Sequence, residues 1–416
     1  MSSEIVLVNI TGVDKPGLLA MVTSCSADFQ ATVLDVGQAI IHDTLALGLL
    51  LQVPAARKAA LIERLRAELA AQQVPVQFSD IESGRYEDWV AAQGAPSYVL
   101  TLMTEAVSAQ VLAQVSGITR DYGLNIQTIR RLTGRLPLAA LPTAGTRISI
   151  ELLLRGRLER DQEAQLKGAL LAAGTAHDFD FSVQRDTVYR RNRRLVAFDM
   201  DSTLIHGEVI DELAARHGVG DEVAAITARA MRGELDFKES FQARAALLKG
   251  LPESALADVA AAVRLSDGAE RLIRVLKHFG YKVAVLSGGF AYVGARLQAQ
   301  LGLDYVFANT LAIEDGVMTG AAVGEIVDAQ RKAALLREIA EREGIDMEQT
   351  IAIGDGANDL PMLSAAGLGI AYHAKPLVKE SAEHAISTMA LDSLLYLMGF
   401  TDSDIEQALA RSAPHA

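Results

Sequence analysis

The sequence has little cysteine, few aromatic residues and no long uncharged apolar run. Cys25 is its only cysteine, which excludes an intramolecular disulfide and is typical of a reducing compartment. Aromatic residues make up 5% of the chain, so the cores must be built mainly from Leu, Val, Ile and Ala. No apolar run reaches the roughly 18 residues of a membrane span, and the first residues, MSSE, do not open a signal peptide. We therefore expect a cytoplasmic protein with no membrane contact.

The net charge is negative, at −13 for 52 acidic and 39 basic residues. This charge disfavours nonspecific binding to nucleic acid or anionic lipid, so neither is expected as a partner. Half of the residues are hydrophobic, which suits packed cores and disfavours long disordered stretches. A length of 416 residues predicts two or three domains.

The amino-terminal part predicts two copies of one small fold. Stretches with strand and helix patterns follow the order βαββαβ over residues 1–86 and again over residues 95–186, which is the ferredoxin-like arrangement. The period of about 90 residues suits tandem domains rather than a solenoid. In the second copy, Pro137 and Pro142 lie in the loop between the two middle strands.

The first copy resembles the ACT domain, a small amino-acid-sensing module. The resemblance rests on the element order and on the turn Asp14-Lys15-Pro16-Gly17-Leu18 after the first strand. It implies a site for a small amino acid, here L-serine, and a homodimer formed through these domains. Free backbone N–H groups at such a helix start suit a carboxylate, although a plain turn also explains the residues. The second copy has Thr104-Glu105-Ala106-Val107 there, which favours scaffolding or dimerisation over ligand binding.

A short basic run, Tyr189-Arg190-Arg191-Asn192-Arg193-Arg194, follows the second copy. Four arginines raise the possibility of nucleic-acid binding. The run is short, lacks interleaved aromatic residues and lies in an acidic chain. These features favour a solvated linker.

Three apolar runs end in polar residues further along the chain. Residues 195–198 lead into Asp199-Met200-Asp201-Ser202-Thr203, and residues 281–286 lead into Ser287-Gly288-Gly289. Residues 351–353 lead into Gly354-Asp355-Gly356-Ala357-Asn358-Asp359. Such runs predict strands of a buried parallel sheet, whose carboxyl ends meet at one edge. Each motif alone is explained by a turn, but together they predict one site.

Lys332, near the start of a predicted helix, adds a cation to this set. A single helical lysine is ordinarily a solvated surface residue. Clustered carboxylates with few histidines favour a hard, oxygen-binding cation such as Mg²⁺ over zinc. Carboxylates, hydroxyl and amide donors and a lysine suit phosphoryl transfer, in which positioning and charge neutralisation dominate.

These four motifs resemble those of the haloacid dehalogenase superfamily, specifically its phosphoserine phosphatases, over residues 194–400. The resemblance implies an α/β fold with a doubly wound, mostly parallel sheet and a helical cap over about residues 208–262. It implies Asp199 as the nucleophile that forms an aspartyl-phosphate and Asp201 as general acid and base. The implied Mg²⁺ ligands are the side chains of Asp199 and Asp355 and the backbone carbonyl of Asp201, while Asp359 orients the metal shell.

The same resemblance assigns the residues that hold the phosphate group. Ser287, Gly288 and Lys332 would hold the phosphoryl oxygens as charge develops. Asn358 would orient the substrate or the lysine.

In the cap, the resemblance assigns recognition of an amino acid. Arg244 suits a bidentate grip on the substrate carboxylate, and Glu208 suits its ammonium group. Met231 and Phe237 would close the pocket against water. Without the resemblance, Arg244 and Glu208 would be interpreted as solvated cap residues.

The expected function is Mg²⁺-dependent hydrolysis of O-phospho-L-serine, the last step of serine biosynthesis, with feedback by serine. One alternative is a phosphatase or phosphotransferase acting on phosphothreonine, phosphoglycolate or phosphohomoserine. Another is an amino-acid sensor with an inert phosphatase half. The charge disfavours a nucleic-acid-associated phosphatase. Arg216 and His217 receive no role.

Overall fold

The computed structural model describes residues 2–138, 146–382 and 384–411. The chain forms two compact units, Met1–Ala95 and Pro96–Ala416. Pro142, in the predicted loop, lies outside the described residues. The predicted domain limits at residues 86, 95, 186 and 194 stay predictions, and residue 86 falls within a helix that the sequence did not indicate.

The first unit is a four-stranded antiparallel sheet in the predicted βαββαβ order, followed by one more helix. Apolar residues alternate along the central strands, so Val6, Val8 and Leu49 are buried together with Leu61 and Leu65 of the second helix. The strand order is β2-β3-β1-β4. The elements are β1 (Ser3–Val13), α1 (Leu18–Asp28), β2 (Thr32–Ile41), β3 (Thr44–Pro54), α2 (Ala55–Ala71), β4 (Val76–Ile81) and α3 (Ser83–Ala92).

The second unit begins with a repeat of this arrangement. Its strand order, β6-β7-β5-β8, matches that of the first copy, which confirms the prediction of two ferredoxin-like folds. Its elements are β5 (Ser97–Thr104), α4 (Ala109–Asp121), β6 (Asn125–Arg131), β7 (Ile148–Arg155), α5 (Arg160–His177) and β8 (Phe179–Arg185).

The rest of the second unit is the predicted α/β fold. Four helices, α6 to α9, form the insert expected as the cap. The elements are β9 (Leu195–Phe198), α6 (Val209–His217), α7 (Gly220–Met231), α8 (Phe237–Leu247), α9 (Glu253–Ala262), α10 (Ala269–His278), β10 (Lys282–Phe290), α11 (Ala291–Leu301), β11 (Tyr305–Glu314), β12 (Val317–Val323), α12 (Ala329–Glu343), β13 (Thr350–Gly354), α13 (Leu360–Ala365), β14 (Leu368–Tyr372), α14 (Pro376–Ser381), β15 (His384–Ile386), α15 (Leu394–Leu397) and α16 (Asp402–Arg411).

Strand β9 lies at the centre of the parallel part of the sheet, between β10 and β13. Both of its faces are buried. Val196 and Phe198 belong to the core on one side, whereas Leu195 and Ala197 belong to the core on the other side. This explains why the run is continuously apolar, and it confirms the doubly wound, mostly parallel sheet.

The two sheets of the second unit join into one sheet of eleven strands. The connection is an antiparallel pair between Phe181 of β8 and Ala385 of β15. Beside it, the buried carboxylate of Asp180 accepts hydrogen bonds from the backbone N–H groups of Ser387 and Thr388, each at 2.8 Å. The sequence gave no indication of this junction, because it depends on contacts between segments about 200 residues apart.

The basic run before β9 is not the solvated linker that the sequence predicted. Arg190 is buried in an ion pair with Glu151, and Arg193 is buried with its guanidinium donating to the carbonyl of Glu348. Arg191 and Arg194 do point to solvent. The prediction is therefore wrong for two of the four arginines, which pack between the second repeat and the parallel sheet.

The last helix, α16, packs against α10. Its first residue, Asp402, accepts a hydrogen bond from the backbone N–H of Gly134 at 2.6 Å, which ties the carboxyl-terminal part to the second repeat. Over the described ranges, every helix is too short or too polar to cross a membrane.

Candidate active site

Three neighbouring strand ends deliver the predicted catalytic residues to one edge of the sheet. Asp199 follows β9, Ser287 lies near the end of β10, and Asp355 follows β13. The backbone N–H of Asp199 donates to the carbonyl of Ile353 at 2.8 Å, so the first and third of these ends are fixed to each other. All three residues line one cavity of about 600 Å³.

The described protein groups bind the Asp199 carboxylate through one of its two oxygens. Its Oδ1 accepts from the backbone N–H of Met200 at 2.7 Å and lies 2.9 Å from Nζ of Lys332. Its Oδ2 accepts no hydrogen bond from any residue of the described chain. The arrangement fixes the side chain and leaves one oxygen available to a ligand.

Lys332 is fully buried and lies between two carboxylates, Asp199 and Asp359, the second at 2.7 Å. Burial by itself lowers the pKa of a lysine, but the two carboxylates outweigh it and raise the pKa of Lys332 above its ordinary value. The lysine is therefore a permanent cation beneath Asp199. It does not line the cavity, so its contact is with the carboxylates.

Asp201 lies in a sharp turn in which the next residue, Ser202, has a positive φ of 59°. Its carboxylate is buried, and Oδ1 accepts a long hydrogen bond from the backbone N–H of Val209 at 3.3 Å. Burial, and then the negative charges of Glu208 and Asp199, raise the pKa of Asp201 well above the ordinary value of an aspartate. Asp201 thus has the environment of a carboxylic acid that keeps its proton.

Asp199, Asp355 and Asp359 each offer a carboxylate oxygen, and these oxygens lie within 4.8 Å of one another. Burial and the charge of Asp199 raise the pKa of Asp355 to about 6. Thr203 donates to Asp355 at 2.9 Å and orients it. Three oxygen donors without histidine or cysteine fit a hard divalent cation such as Mg²⁺.

The cluster is not uniform, because Asp359 has both oxygens engaged. Oδ1 contacts Lys332, and Oδ2 accepts from the backbone N–H of Gly356 at 3.0 Å. Asp199 and Asp355 retain oxygens that could bind a metal ion. The expected division into direct ligands and an orienting carboxylate stays a prediction.

The predicted Ser-Gly-Gly turn is part of a strand. β10 continues through Ser287 to Phe290, and its pairing with β11 shifts register between Leu286 and Phe290. The hydroxyl of Ser287 accepts from the backbone N–H of Gly289 at 2.9 Å. The side chain of Asn309 donates to the carbonyl of Gly288 at 2.8 Å and holds the segment in place.

Glycine is required here by close approach. A Cβ at position 289 would collide with Oδ2 of Asp201 and lie 2.8 Å from Cε of Met200. A Cβ at position 288 would lie 2.5 Å from the ring of Phe237 in the cap.

The cap contributes the opposite wall of the cavity, where Glu208, Met231, Phe237 and Arg244 all lie as predicted. Glu208 accepts from the hydroxyl of Ser202 at 3.1 Å; burial, then the charge of Asp199, raise its pKa. Burial lowers the pKa of Arg244 despite nearby carboxylates. These cap residues therefore present one anionic and one cationic group above the buried aspartates.

Arg244 is weakly anchored for a half-buried guanidinium. Its only hydrogen bond within the described chain runs from Nε to the carbonyl of Ser240 at 3.4 Å, and no carboxylate lies within 4 Å. The terminal nitrogens are thus available to a ligand. Asn358 lines the same cavity on the catalytic side.

Sequence reasoning assigned no role to three residues of the site. Thr203 orients Asp355, Asn309 holds Gly288, and Lys375 lines the cavity with Nζ 3.9 Å from the sulfur of Met231. Lys375 follows β14, another parallel strand of the same sheet, and this position is the signal that could have found it. Asn309 lies within a strand and carries no comparable signal.

Two further sets of residues named in the sequence analysis lie outside the lining of this cavity. In the first unit, Gly17 has a positive φ of 94° and begins α1, while Nζ of Lys15 donates to the carbonyl of Gln72 at 3.0 Å. The turn Asp14–Leu18 is exposed except for Leu18. Arg216 and His217, which received no role from the sequence, pair within the cap with Asp258 and with the carbonyl of Lys249.

The fold and the cluster of carboxylates at the strand ends are those of a haloacid dehalogenase-like hydrolase. The family model of that description matches residues 196–364, and an ACT domain model matches residues 4–79. A solved haloacid dehalogenase family hydrolase from Salmonella enterica has a TM-score of 0.61 and 34% identity, covering 72% of this chain and 98% of its own.

The curated relatives are more specific. A phosphoserine phosphatase from Streptomyces coelicolor is 42% identical over 404 residues, which cover 97% of this chain and 94% of the relative. The phosphoserine phosphatase SerB2 from Mycobacterium tuberculosis is 39% identical over 403 residues, or 97% and 95% of the two chains. The chain belongs to the phosphoserine phosphatase family of haloacid dehalogenase-like hydrolases.

Proposed function

We propose that this protein hydrolyses O-phospho-L-serine to L-serine and phosphate, the last step of serine biosynthesis, through an aspartyl-phosphate on Asp199. The observation that carries the proposal is the shared cavity. It places buried Asp199 and Asp201 below one cationic and one anionic cap residue, Arg244 and Glu208. This set matches a phosphate ester whose other end is an amino acid.

In the first step, a carboxylate oxygen of Asp199 attacks phosphorus while Lys332 and the N–H of Met200 hold the side chain in place. The bond from phosphorus to the serine oxygen breaks, and Asp201 gives its proton to that oxygen. The raised pKa of Asp201 supports this role as an acid. Splitting hydrolysis in two replaces one difficult step by two easier ones.

In the second step, Asp201, now ionised, accepts a proton from water, and the water oxygen attacks phosphorus. The bond to Asp199 breaks, which releases phosphate and restores the carboxylate. Ser287 and the N–H groups beside it, with Lys332 beneath, would stabilise the phosphoryl charge. Phe237 would close the cavity against bulk water. Met231 also lines the cavity but is 64% exposed, so it shields the site less than the sequence predicted.

We propose Mg²⁺ as the cofactor, with the side chains of Asp199 and Asp355 and the backbone carbonyl of Asp201 as protein ligands. Bound there, the ion would neutralise the repulsion between the aspartate and the phosphate dianion. Asp359 and Thr203 would orient these ligands.

Substrate recognition is assigned to the cap. Arg244 would pair with the carboxylate, since its terminal nitrogens make no ion pair with the described residues. Glu208 would bind the ammonium group, oriented by Ser202. Asn358 would contact the substrate from the catalytic side.

The test is a panel of phosphate esters assayed with Mg²⁺ and with a chelator. We expect phosphoserine to give the highest kcat/KM, and the chelator to abolish turnover. A preference for phosphothreonine, phosphoglycolate or phosphohomoserine would contradict the substrate and leave the chemistry intact. Acid-quenched protein should carry labelled phosphate from phosphoserine in the wild type but not in Asp199→Asn. Normal turnover by that variant would point to the alternative, a sensor with an inert phosphatase half.

We also propose that L-serine binds at the turn Asp14–Leu18 as a feedback inhibitor and that the chain forms a homodimer through its ACT domains. The exposed apolar residues Val36 and Ile40 on β2 support an association surface. Turnover at increasing L-serine, and the mass of the protein in solution, test the two claims separately. A rate unaffected by serine, or a monomer, would contradict the corresponding claim.

A further inference from the structure

A second cavity, of about 420 Å³, lies at the other end of the catalytic strands. Arg193 precedes β9 by two residues and Glu348 precedes β13 by two, and both line this cavity. Lys167 of α5 and Gln184 of β8 form the wall on the side of the second repeat. The cavity therefore lies between the repeat and the amino ends of the two strands that carry Asp199 and Asp355.

Arg193 is the least satisfied charge in this cavity. Only 7% of it is exposed, and its one hydrogen bond within the described chain goes to the carbonyl of Glu348. Its buried Nε has no partner, and no carboxylate of the described residues lies within ion-pair distance. Burial lowers the pKa of Arg193 to about 10. A buried cation without a hydrogen-bonded anion is costly, so the site lacks a counter-ion.

The space around this guanidinium is kept open by a glycine. A Cβ at Gly367 would collide with Nη1 of Arg193 and with the carbonyl of Glu348. On the other side, the buried imidazole of His384 bonds to the hydroxyl of Ser182 at 3.0 Å. Burial, then the positive charges of Lys167 and Arg193, lower the pKa of His384 to about 3. The imidazole is thus neutral and does not compete for an anion.

The charges of the lining favour a monoanion. Glu163 and Glu348 also line the cavity, and Glu163 already pairs with Arg185. Against these two carboxylates stand three cations, Lys167, Arg185 and Arg193, so the formal net charge of the lining is +1 and one monoanion balances it. A planar carboxylate needs only one cation and matches the fork of a guanidinium. The volume suits a small molecule.

We propose that this cavity binds a small carboxylate through Arg193 and that its occupancy alters turnover at Asp199. The coupling is short, because the four residues of β9 span roughly 13 Å between the two sites. The segments are also linked to each other, since the N–H of Arg194 donates to the carbonyl of Gln349 at 2.8 Å. The inference does not depend on which phosphate ester is the substrate.

The test is calorimetric titration of the full chain, without substrate, with acetate, glycine, L-serine and sulfate. Acetate tests the carboxylate alone, the two amino acids add an ammonium group, and sulfate tests a tetrahedral dianion. Two variants address the cavity: Arg193→Met removes the cation, and Ser364→Phe fills the rim from the exposed side of α13. Arg244→Met removes the carboxylate-binding group proposed in the cap and is the control.

We expect at least one carboxylate to bind, about tenfold more weakly in Arg193→Met and Ser364→Phe but unchanged in Arg244→Met. The same ligand should change kcat or KM in the wild type and in neither cavity variant. Ser364→Phe keeps the test valid if Arg193→Met does not fold, because it leaves the buried arginine in place.

Three results would overturn the proposal. Equal affinity in wild type and Ser364→Phe would place the ligand elsewhere, and sulfate binding as tight as any carboxylate would contradict the ligand class. Binding with no change in kcat or KM would contradict the coupling. No binding by any carboxylate up to about 10 mM would contradict the site itself.

Discussion

A substitution at Arg244 can distinguish the proposed recognition of the substrate carboxylate from the chemistry at phosphorus. Replacing it with Met should lower kcat/KM for phosphoserine by about 30- to 150-fold, the value of a lost charge-assisted pair of about 2–3 kcal/mol. Hydrolysis of p-nitrophenyl phosphate, which has no carboxylate, should change little. Steady-state kinetics on both substrates measures the difference.

The matched control for Arg244 is Arg229→Met. Arg229 lies on the same cap but pairs with Glu234 at the surface, at 3.2 Å. A surface pair of this kind contributes little, so both substrates should be unaffected. An equal loss on both substrates in Arg244→Met would mean that the arginine supports the cap fold rather than the carboxylate.

Asp201 should matter most when the leaving group needs a proton. In Asp201→Asn, phosphoserine turnover should fall by about 10²- to 10⁴-fold, because the serine oxygen departs without its acid. p-Nitrophenolate leaves unaided, so the first step should survive with that substrate and the second should slow. Rapid-mixing kinetics should therefore show a burst of p-nitrophenolate. Loss of both steps to the same extent would contradict the assigned role.

At the scale of elements, the end of β10 lies against Asp201, the proposed acid. Gly289→Ala places a methyl group against Oδ2 of Asp201 and Cε of Met200. We expect a large loss of kcat and a destabilisation of about 1–3 kcal/mol from overpacking. Activity and urea unfolding measure the two effects.

Gly117→Ala is the control for this change. Gly117 lies inside α4, and a Cβ there would meet nothing within 4 Å. Its stability should stay level or rise by up to about 1 kcal/mol, with activity unchanged. Wild-type activity in Gly289→Ala would show that Asp201 can move without consequence.

The sequence predicted the structure best where a local pattern of residues is compatible with a single type of element. The apolar run of β9 predicted a strand buried on both faces, and the carboxylates after it do lie at the carboxyl end of the sheet. β10 was predicted to end before Ser287, but its irregular pairing with β11 keeps the segment extended. A register shift depends on the neighbouring strand, so the run itself could not reveal it.

Burial of charge was the least predictable feature. The arginine-rich run around Arg190 and Arg193 has the composition of a solvated linker. The groups that these two arginines contact, Glu151 and the carbonyl of Glu348, lie 39 and 155 residues away in the chain. In the sequence, Lys332 cannot be distinguished from a helical surface lysine. In the fold, it is buried between Asp199 and Asp359. Such contacts require the tertiary structure, or a resemblance that already encodes it.

At the scale of the whole second unit, Asp180 joins the repeat to the catalytic sheet. Its carboxylate accepts from three backbone N–H groups, those of Ser387, Thr388 and Met389. Asp180→Ala leaves these donors without their acceptor at the junction and should cost about 1–3 kcal/mol. Urea unfolding should show the loss. The control is Asp121→Ala, whose side chain is 62% exposed and which should stay within about 0.5 kcal/mol of the wild type.

As pH rises, the stability of the metal-free fold should fall while the affinity for a metal ion should increase. The pKa of Asp355 is raised to about 6 from a reference value of 3.8. Between about pH 4 and pH 6 the unfolded chain loses this proton while the folded chain keeps it, so the stability contributed by the protonated carboxyl is lost as pH rises. Asp201 acts in the same direction.

Asp355→Asn isolates this effect, because it mimics the protonated carboxyl at every pH. In a chelator, the variant should gain stability over the wild type as pH rises from 4 to 7, by about 1–3 kcal/mol after allowance for partial exposure. Mg²⁺ binds the deprotonated carboxylate, so it should stabilise the wild type increasingly above pH 6 and the variant much less. Unfolding curves across pH, with chelator or Mg²⁺, measure both trends. A variant less stable than the metal-free wild type at pH 7 would show that Asp355 is paired in the fold rather than held ready for a cation.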